Sequence, residues 1–229
     1  MKIRILGIIP VKHLNHTKSR LRSILTLAER QVLTLRILFK TIQAMESSGE
    51  VHEILILTPD DRVLSFAKGL RVLGLKDNGG GMNQALRQAT RWAIDHHFEA
   101  ILVLPCDLPF LGREDIEQIT HMGAEEGRVV VIAPNEEKNG TNGLFVKPPG
   151  ILRYCFGVGS FSRHQDQAFT RHLEVKIYSS ASIGFDLDFS EQYRFLIEKA
   201  FFSKKFGLHE DKTSYFNSDS WNSVHPARG

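Results

Sequence analysis

Residues 100–104 (AILVL) form the most strand-like run in the chain. The run is apolar throughout, which is typical of a strand buried on both faces of a sheet. We therefore expect it to lie near the centre of a sheet. Six further runs predict strands that precede or follow it along the chain, at 3–10, 51–58, 70–75, 128–133, 143–146 and 175–178.

Segments in which apolar residues recur at helical spacing separate these strands. They lie at 27–42, directly after 59–61, and at 82–98, 113–126, 161–172 and 190–202. Thr26 with Glu29 three residues later is a capping-box pattern, so we expect the first helix to begin there. Apolar strands that alternate with helices predict an α/β fold whose mostly parallel sheet is covered on both faces.

The composition excludes several classes of protein. The chain has 229 residues, of which 42% are hydrophobic and 24% charged, as in an ordinary globular protein and unlike a disordered or fibrous one. No apolar run approaches the roughly 18 residues of a membrane span, and the apolar start lacks a signal-peptide cleavage site. Cys106 and Cys155 are too few for a disulfide framework or a zinc ribbon. We therefore expect a cytoplasmic protein.

The length fits one domain with a small appendage. We assign residues 1–202 to the domain and 203–229 to a tail that has no periodicity and is rich in Ser, Lys, Asn and His. We interpret the tail as a mobile or packing arm. Phe201, Phe202 and the aromatic residues of the tail are candidates for covering a partner in a homodimer, although no spacing argues for one.

The net charge of +3 is unevenly distributed. Residues 1–40 carry nine Lys and Arg residues against one acid, whereas the rest of the chain carries 20 basic and 25 acidic residues. A local excess of positive charge fits a small polyanion better than a long nucleic acid. A solvated basic surface is the simpler alternative.

Ligands of open α/β sheets bind at the carboxyl ends of the strands, and four segments lie there. The first, 12–22, follows the first strand and contains Lys12, Lys18, Arg20 and Arg22 but neither GxGxxG nor a P-loop pattern. Four cations within it are enough to neutralise a triphosphate. The second holds Gly79, Gly80 and Gly81, which allow a ligand to approach the backbone at a helix start. A flexible loop is the alternative there.

The third and fourth segments supply carboxylates and a further glycine loop. Asp107 follows the central strand between two prolines, where a metal bound to phosphate would be held, although a helix cap is as common a role. Gly157, Gly159 and Ser160 belong to a glycine-rich anion-binding pattern before a helix, where Ser160 is alternatively a cap. Asp186 and Asp188 point to one side of an extended stretch, towards a cation or solvent. Together these features predict a metal-dependent reaction on phosphates.

Six ordered motifs then carry a family resemblance: PVKHLNHTKSRL (10–21), GGGMNQAL (79–86), CDLPFL (106–111), GTNGLFV (140–146), FGVGSFSRHQDQA (156–168) and FDLD (185–188). Over about residues 1–200 the chain resembles the CofC-type guanylyltransferases of coenzyme F-420 biosynthesis. The resemblance implies a single Rossmann-like, three-layer domain of the nucleotide-diphospho-sugar transferase type. It also implies transfer of GMP from GTP to 2-phospho-L-lactate, phosphoenolpyruvate or 3-phosphoglycerate, with release of pyrophosphate.

The resemblance assigns roles to matching positions, with Asp107 and Lys18 as the catalytic pair. The GTP phosphates would be held by Lys12, Lys18 and Arg20, and the nucleotide would lie against Gly81 and Asn83. The acceptor would be bound by Thr141, Gly157 and Ser160. Mg²⁺ would be held by Asp107, Asp186 and Asp188. Phe189 and Ser190 replace the Thr-Pro or Glu-Pro that is frequent in the family after the aspartates.

The same resemblance implies a simple mechanism. The acceptor phosphate is already ionised at neutral pH, so no general base is needed and catalysis reduces to alignment and charge neutralisation. The expected partners are GTP and a small phosphorylated acid, with no nucleic acid and no membrane. The alternatives are another nucleotidyltransferase of this fold acting on a sugar phosphate or a pterin cofactor, a non-catalytic nucleotide sensor, and an RNA-binding protein.

Overall fold

Seven strands and seven α-helices make up the part of the chain that this computed structural model describes, residues 3–125 and 127–205. The strands are β1 (Ile5–Pro10), β2 (Glu53–Thr58), β3 (Leu73–Lys76), β4 (Ala100–Val103), β5 (Val129–Pro134), β6 (Thr141–Lys147) and β7 (Glu174–Ile177). The helices are α1 (Leu27–Ser48), α2 (Asp61–Gly69), α3 (Met82–Asp95), α4 (Arg113–Gly123), α5 (Ser160–Thr170), α6 (Ala181–Gly184) and α7 (Ser190–Lys205). No helix among these residues is long and apolar enough to cross a membrane.

The strands form one sheet in the order β3-β2-β1-β4-β6-β5-β7. Every neighbouring pair is parallel except the two that include β6, which runs antiparallel to β4 and β5. The prediction of a mostly parallel sheet is therefore confirmed. The run at 100–104 supplies the middle strand, β4, whose four residues are all buried. Its central place follows from its lack of any polar residue that would need solvent.

Helices cover both faces of the sheet. In β1, Ile5 and Ile9 face a core built with α1, α2 and α4, whereas Leu6 and Ile8 face a second core built with α3 and α5. Successive side chains of a strand point to opposite faces, so a strand that is apolar at every position is buried on both sides. The three-layer α/β architecture is thus confirmed.

A third, smaller core packs the basic segment, residues 12–22, against α1 and α7. Leu21 from that segment packs with α1, with α7 and with Leu187 from the segment before α7. The buried members are Leu21, Leu33, Ile37, Leu187 and Leu196, and Leu25, Phe110 and Tyr193 pack around them. This core therefore holds the basic segment against the predicted aspartate segment, residues 185–188.

Several element boundaries differ from the sequence prediction. The third strand begins at Leu73 instead of 70, because Leu70 and Val72 close the last turn of α2 by donating backbone hydrogen bonds to Ala67. The four-residue helix α6, capped by Ser180, was not predicted. The final helix continues to Lys205, three residues past the predicted domain end. The rest of the tail, and the side chains of 200–205 on which the homodimer prediction rests, lie outside the described residues.

The capping box that opens α1 is confirmed. The Thr26 hydroxyl accepts from the Glu29 backbone N–H at 3.3 Å, and the Glu29 carboxylate accepts from the Thr26 N–H at 2.7 Å. The Glu29 carboxylate also accepts from the Thr26 hydroxyl at 2.7 Å, and this bond, followed by the one from the Thr26 N–H, lowers the pKa of Glu29 because both favour its ionised form. Each bond from a backbone N–H satisfies a group that has no partner within the helix, which is why the pattern marks a helix start.

A buried carboxylate anchors the segment between β7 and α6. Asp115, 3% exposed in the first turn of α4, accepts hydrogen bonds from the hydroxyls of Tyr178 at 2.9 Å, Ser180 at 2.6 Å and Ser182 at 2.7 Å. It also accepts from the Gly112 backbone N–H at 2.9 Å. Burial is the main reason why the pKa of Tyr178 rises to about 12, so its phenol remains a donor. Asp115 therefore fixes the chain that leads into the aspartate segment.

We predict that Asp115→Ala lowers the free energy of unfolding by about 3 kcal/mol, because it leaves three hydroxyls and one N–H without their acceptor. Urea denaturation followed by circular dichroism measures the change. Asp95→Ala, at an exposed position near the end of α3, is the control and should change the value by less than about 0.5 kcal/mol. A loss of less than about 1 kcal/mol for Asp115→Ala contradicts the anchoring role.

Candidate active site

The carboxyl ends of the parallel strands meet at one edge of the sheet, and the predicted site segments follow them. The basic segment follows β1, the three-glycine loop follows β3, and Asp107 follows β4. Because β6 is antiparallel, its first residue, Thr141, also lies at this edge. Ser160 is joined to the same place by a hydrogen bond from its hydroxyl to that of Thr141 at 3.1 Å. The topology thus gathers residues distant in sequence.

Asp107 and the aspartate segment 185–188 are held against each other. The Leu187 backbone N–H donates to the Asp107 carbonyl at 2.8 Å, and the Leu187 side chain is fully buried in the third core. Asp186 and Asp188 flank this buried leucine and are only half-buried. The Asp107 Oδ1 atom is buried and has no hydrogen-bond partner in the described part of the chain. An orphaned carboxylate oxygen of this kind is unusual in a folded protein and requires an explanation.

The pKa values of Asp107 and Asp186 are both raised. The pKa of Asp107 is raised first by burial and also by the charge of Asp188, while Lys18 and Lys12 act in the opposite direction. The pKa of Asp186 is raised by burial and then by the charges of Asp107 and Asp188. The predicted trio is therefore close enough to interact. However, the described residues contain no group of three His, Cys, Asp or Glu side chains arranged to hold a metal ion by themselves.

Asn142, which sequence reasoning did not single out as a site residue, supports the aspartate segment. Its side-chain amide is buried and donates to the carbonyls of Ile183 at 2.8 Å and Gly184 at 3.3 Å. It also forms a hydrogen bond with Asp186 that lowers the pKa of this carboxyl against the larger effect of burial. Asn142 thus holds both the position and the charge of Asp186. Its place directly after Thr141 in the GTNG motif is the signal that could have identified it.

The basic segment is attached to the aspartate segment by two polar contacts. Lys18, in a left-handed backbone conformation (φ 46°), donates from Nζ to the Leu187 carbonyl at 2.7 Å. Arg20 pairs with Asp188, with Nη1 and Oδ2 2.5 Å apart, and lies over the Phe189 ring at 4.8 Å. Two predicted phosphate ligands are therefore engaged by the segment that carries two predicted metal ligands. Sequence reasoning did not find this pairing, because the partners are 168 residues apart.

Asp60, at the end of β2, fixes the first turn of the basic segment and was also missed. This buried carboxylate accepts from the Leu14 N–H at 2.9 Å and forms an ion pair with Arg62 at 2.9 Å. The hydrogen bond from Arg62 holds the pKa of Asp60 well below its ordinary value. Asp60 also caps α2, where its carboxylate accepts from the Arg62 N–H. Lys12 remains exposed beyond β1.

The three-glycine loop, residues 79–81, follows β3, an outer strand of the sheet. Gly79, Gly80 and Gly81 all have positive φ values, between 83° and 94°, which side chains rarely tolerate. Asn83 exchanges two hydrogen bonds with the Phe156 backbone, accepting from its N–H at 2.8 Å and donating to its carbonyl at 3.2 Å. Asn83 therefore ties this loop to the glycine loop before α5, and its contact with a nucleotide remains a prediction.

Two backbone N–H groups in the loop before α5 already donate hydrogen bonds within the protein. The Gly159 N–H donates to the Asn139 carbonyl at 2.6 Å, and the Ser160 N–H donates to the Gly157 carbonyl at 3.0 Å. Two of the amides expected to receive an anion are therefore already bonded. The cap of α5 is Gly159, without a side-chain bond, so the alternative role of Ser160 as a cap is wrong. The Ser160 hydroxyl is fully buried behind Thr141, and its direct contact with an acceptor remains a prediction.

Comparison with known proteins places this geometry among nucleotidyltransferases. The family model described as "Guanylyl transferase CofC like" matches residues 4–199. A phosphoenolpyruvate guanylyltransferase of Rubrobacter xylanophilus is 36% identical over 187 residues, which cover 82% of this chain and 90% of the relative. A 2-phospho-L-lactate guanylyltransferase of Methanocaldococcus jannaschii is 30% identical over 190 residues, covering 82% and 80%.

Solved structures show the same fold at low identity. A protein of Desulfovibrio desulfuricans G20 assigned as a nucleotide-diphospho-sugar transferase has a TM-score of 0.71 at 13% identity and covers 97% of this chain and 96% of its own. A nucleotidyl transferase of Methanothermobacter thermautotroptrophicus has a TM-score of 0.62 at 15% identity, covering 88% and 99%. These likenesses confirm the nucleotide-diphospho-sugar transferase fold. Together with the family match over most of its length, they lead to one conclusion: the chain belongs to the CofC family of guanylyltransferases.

Proposed function

We propose that this protein transfers a guanylyl group from GTP to a phosphorylated three-carbon acid, with release of pyrophosphate, in coenzyme F-420 biosynthesis. The observation that carries the proposal is the buried, unpartnered Oδ1 of Asp107 beside Asp186, Asp188 and Lys18 at the carboxyl edge of the sheet. The relatives named for phosphoenolpyruvate and 2-phospho-L-lactate support this class of acceptor. A cytoplasmic location, expected from the two cysteines, is part of the proposal.

The carboxylates fit a divalent cation. Asp107 has an oxygen without a hydrogen bond, and the pKa values of Asp107 and Asp186 are raised partly by carboxylate repulsion, which a cation would remove. Mg²⁺ prefers oxygen ligands and is usually held by one or two carboxylates together with water and substrate phosphates. A carboxylate cluster that does not complete a metal site by itself is therefore compatible with Mg²⁺. We propose that Asp107 and Asp186 hold Mg²⁺, with Asp188 as the third ligand.

When bound, Mg²⁺ neutralises negative charge on the phosphates. The protein's own residues then provide alignment. An oxygen of the acceptor phosphate forms the new bond to the α-phosphorus of GTP, and the bond from this phosphorus to the leaving pyrophosphate oxygen breaks. The acceptor phosphate has a second pKa near 6 and is largely ionised at neutral pH, so no side chain has to remove a proton. Lys12, Lys18 and Arg20 stabilise the charge of the departing pyrophosphate.

The Arg20–Asp188 pair links the two halves of this site. Each group neutralises the other, with the arginine and aspartate side chains 56% and 34% exposed. A triphosphate would take Arg20, and a cation would take Asp188, so each ligand releases the group that the other needs. Nucleotide and cation are therefore expected to favour each other's binding through this pair.

The first test is the release of pyrophosphate from GTP and Mg²⁺ with 2-phospho-L-lactate, phosphoenolpyruvate or 3-phosphoglycerate. We expect release with one of these acids and GTP, and none without acceptor or with ATP, CTP or UTP. The identity of the active acid names the substrate. Silence with all three, from folded protein that still binds GTP, contradicts this acceptor class and favours a sugar phosphate or a pterin cofactor.

We predict opposite effects of Asp107→Asn on activity and on stability. Turnover should fall at least about a hundredfold, because a cation ligand is lost. The free energy of unfolding at pH 7 should rise by about 1 kcal/mol, because the substitution removes the carboxylate charge of Asp107, which its surroundings disfavour. Assays of pyrophosphate release and urea denaturation measure the two effects.

The stability gain should depend on pH in a defined direction. Because the pKa of Asp107 is raised in the folded protein, ionising it costs stability as the pH rises from the ordinary pKa through the raised one. The advantage of Asp107→Asn should therefore shrink as the pH is lowered towards 4. Asp166→Asn, at an exposed position on α5, is the control and should change neither quantity. Near-normal turnover of Asp107→Asn refutes its role as a cation ligand.

Lys18→Ala should raise the KM for GTP about tenfold, because it removes a charged hydrogen-bond donor from the phosphates. Steady-state kinetics with varied GTP measure the change. Lys68→Ala, at an exposed position in α2, is the matched control. If Lys18→Ala leaves the KM for GTP unchanged, the phosphates are bound elsewhere in the basic segment.

A further inference from the structure

His164 is a fully buried histidine next to the predicted acceptor site, and it has no role in the mechanism proposed above. It lies on α5 one turn after Ser160 and is 0% exposed. Its Nε2 accepts a hydrogen bond from the Cys155 backbone N–H at 2.9 Å, and its Nδ1 lies 3.1 Å from the Thr141 hydroxyl oxygen. The ring packs edge-on against Phe156, with centroids 5.2 Å apart. Both ring nitrogens are therefore engaged.

The contact with Cys155 fixes the tautomer of the ring. A backbone N–H can only donate, so Nε2 must present a lone pair, and the single proton of the neutral ring then lies on Nδ1. Burial, together with the charge of Arg163, lowers the pKa of His164 to about 4, so the ring is neutral at physiological pH. His164 therefore donates from Nδ1 to the Thr141 oxygen.

This donation fixes the direction of the Thr141 hydroxyl. The Ser160 hydroxyl donates to the same oxygen at 3.1 Å. A hydroxyl oxygen accepts two hydrogen bonds and donates one, so both acceptor positions of Thr141 are occupied by buried neighbours. Its own proton has no acceptor within residues 3–125 and 127–205. Thr141 stands at the start of β6, on the edge where the carboxylates gather, and can only donate there.

We propose that His164 is a positioning residue which, together with Ser160, makes the Thr141 hydroxyl a donor of fixed direction towards an anionic oxygen of the acceptor acid. The inference rests on the proposed function. Thr141 cannot accept a hydrogen bond from the acceptor, so the site selects an accepting oxygen, such as that of a carboxylate or phosphate, at this point and rejects a group that can only donate. An analogue with an ammonium group at this point would leave two donors facing each other.

Two variants of His164 separate its two hydrogen bonds. His164→Asn places an amide nitrogen near the position of Nδ1, so it keeps a donor to Thr141 and loses the acceptor for Cys155. His164→Gln reaches the position of Nε2 with an amide oxygen, so it keeps the acceptor for Cys155 and loses the donor to Thr141. His121→Gln, at an exposed position on α4, is the control. Thermal unfolding of all three checks that the variants remain folded.

The expected result is a split between the two variants. His164→Gln should raise the KM for the acceptor about tenfold, because the Thr141 proton is no longer directed. His164→Asn should raise it less than about threefold, and neither variant should change the KM for GTP. If His164→Asn is impaired as much as His164→Gln, or if both raise the KM for GTP equally, His164 merely supports the loop and the proposal is wrong.

The tautomer can be tested without turnover, which separates this proposal from the proposed function. Long-range nitrogen–proton NMR of ¹⁵N-labelled wild-type protein identifies the protonated ring nitrogen, and the resonances missing from His164→Asn assign it. We expect the proton on Nδ1 with shifts constant between pH 5 and pH 8. A proton on Nε2, or a titration in that range, overturns the proposal even if guanylyl transfer is observed. An inactive wild type with the expected tautomer refutes the proposed function and leaves the directed donor in place.

Discussion

Repulsion among three carboxylates at one edge of the sheet is the constraint on which the arrangement of the site depends. Asp107 follows the central strand with its Oδ1 atom buried, and Leu187 brings Asp186 and Asp188 beside it by entering the third core between them. Burial and like charges both disfavour ionised carboxylates. The nearby positive charge of Lys18 offsets part of this cost.

The scaffold holds these groups together through contacts that take no part in the reaction. Asp115 binds the hydroxyls of Tyr178, Ser180 and Ser182, which lie before and within α6, and Asn142 binds the carbonyls at the end of α6. The chain that leads directly into the aspartate segment is therefore fixed. Each buried hydrogen bond of this kind contributes about 1 kcal/mol, and together they oppose a repulsion that would otherwise separate the segments. The hydrogen bonds of Asp115 and Asn142 therefore both stabilise the fold and position the candidate site.

Continuous apolar runs and local capping patterns were sufficient to predict most of the fold. Residues 100–104 identified the central strand because a run without polar side chains has no place at a sheet edge, and Thr26 marked a helix start by chemistry local to one turn. The pairing of Arg20 with Asp188 and the buried role of His164 could not be predicted. Both arise from tertiary proximity, which neither spacing nor residue type encodes in a single sequence.

We propose that a divalent cation shared with the nucleotide completes the carboxylate cluster. Titration of Mn²⁺, followed by electron paramagnetic resonance in the presence of a GTP analogue that cannot release pyrophosphate, measures this directly on wild-type protein and on Asp186→Asn. We expect the wild type with bound analogue to bind Mn²⁺ more tightly than the free analogue does, and the Mn²⁺ affinity of Asp186→Asn to be at least about tenfold lower than that of the wild type. Equal Mn²⁺ affinity of the two proteins would contradict it.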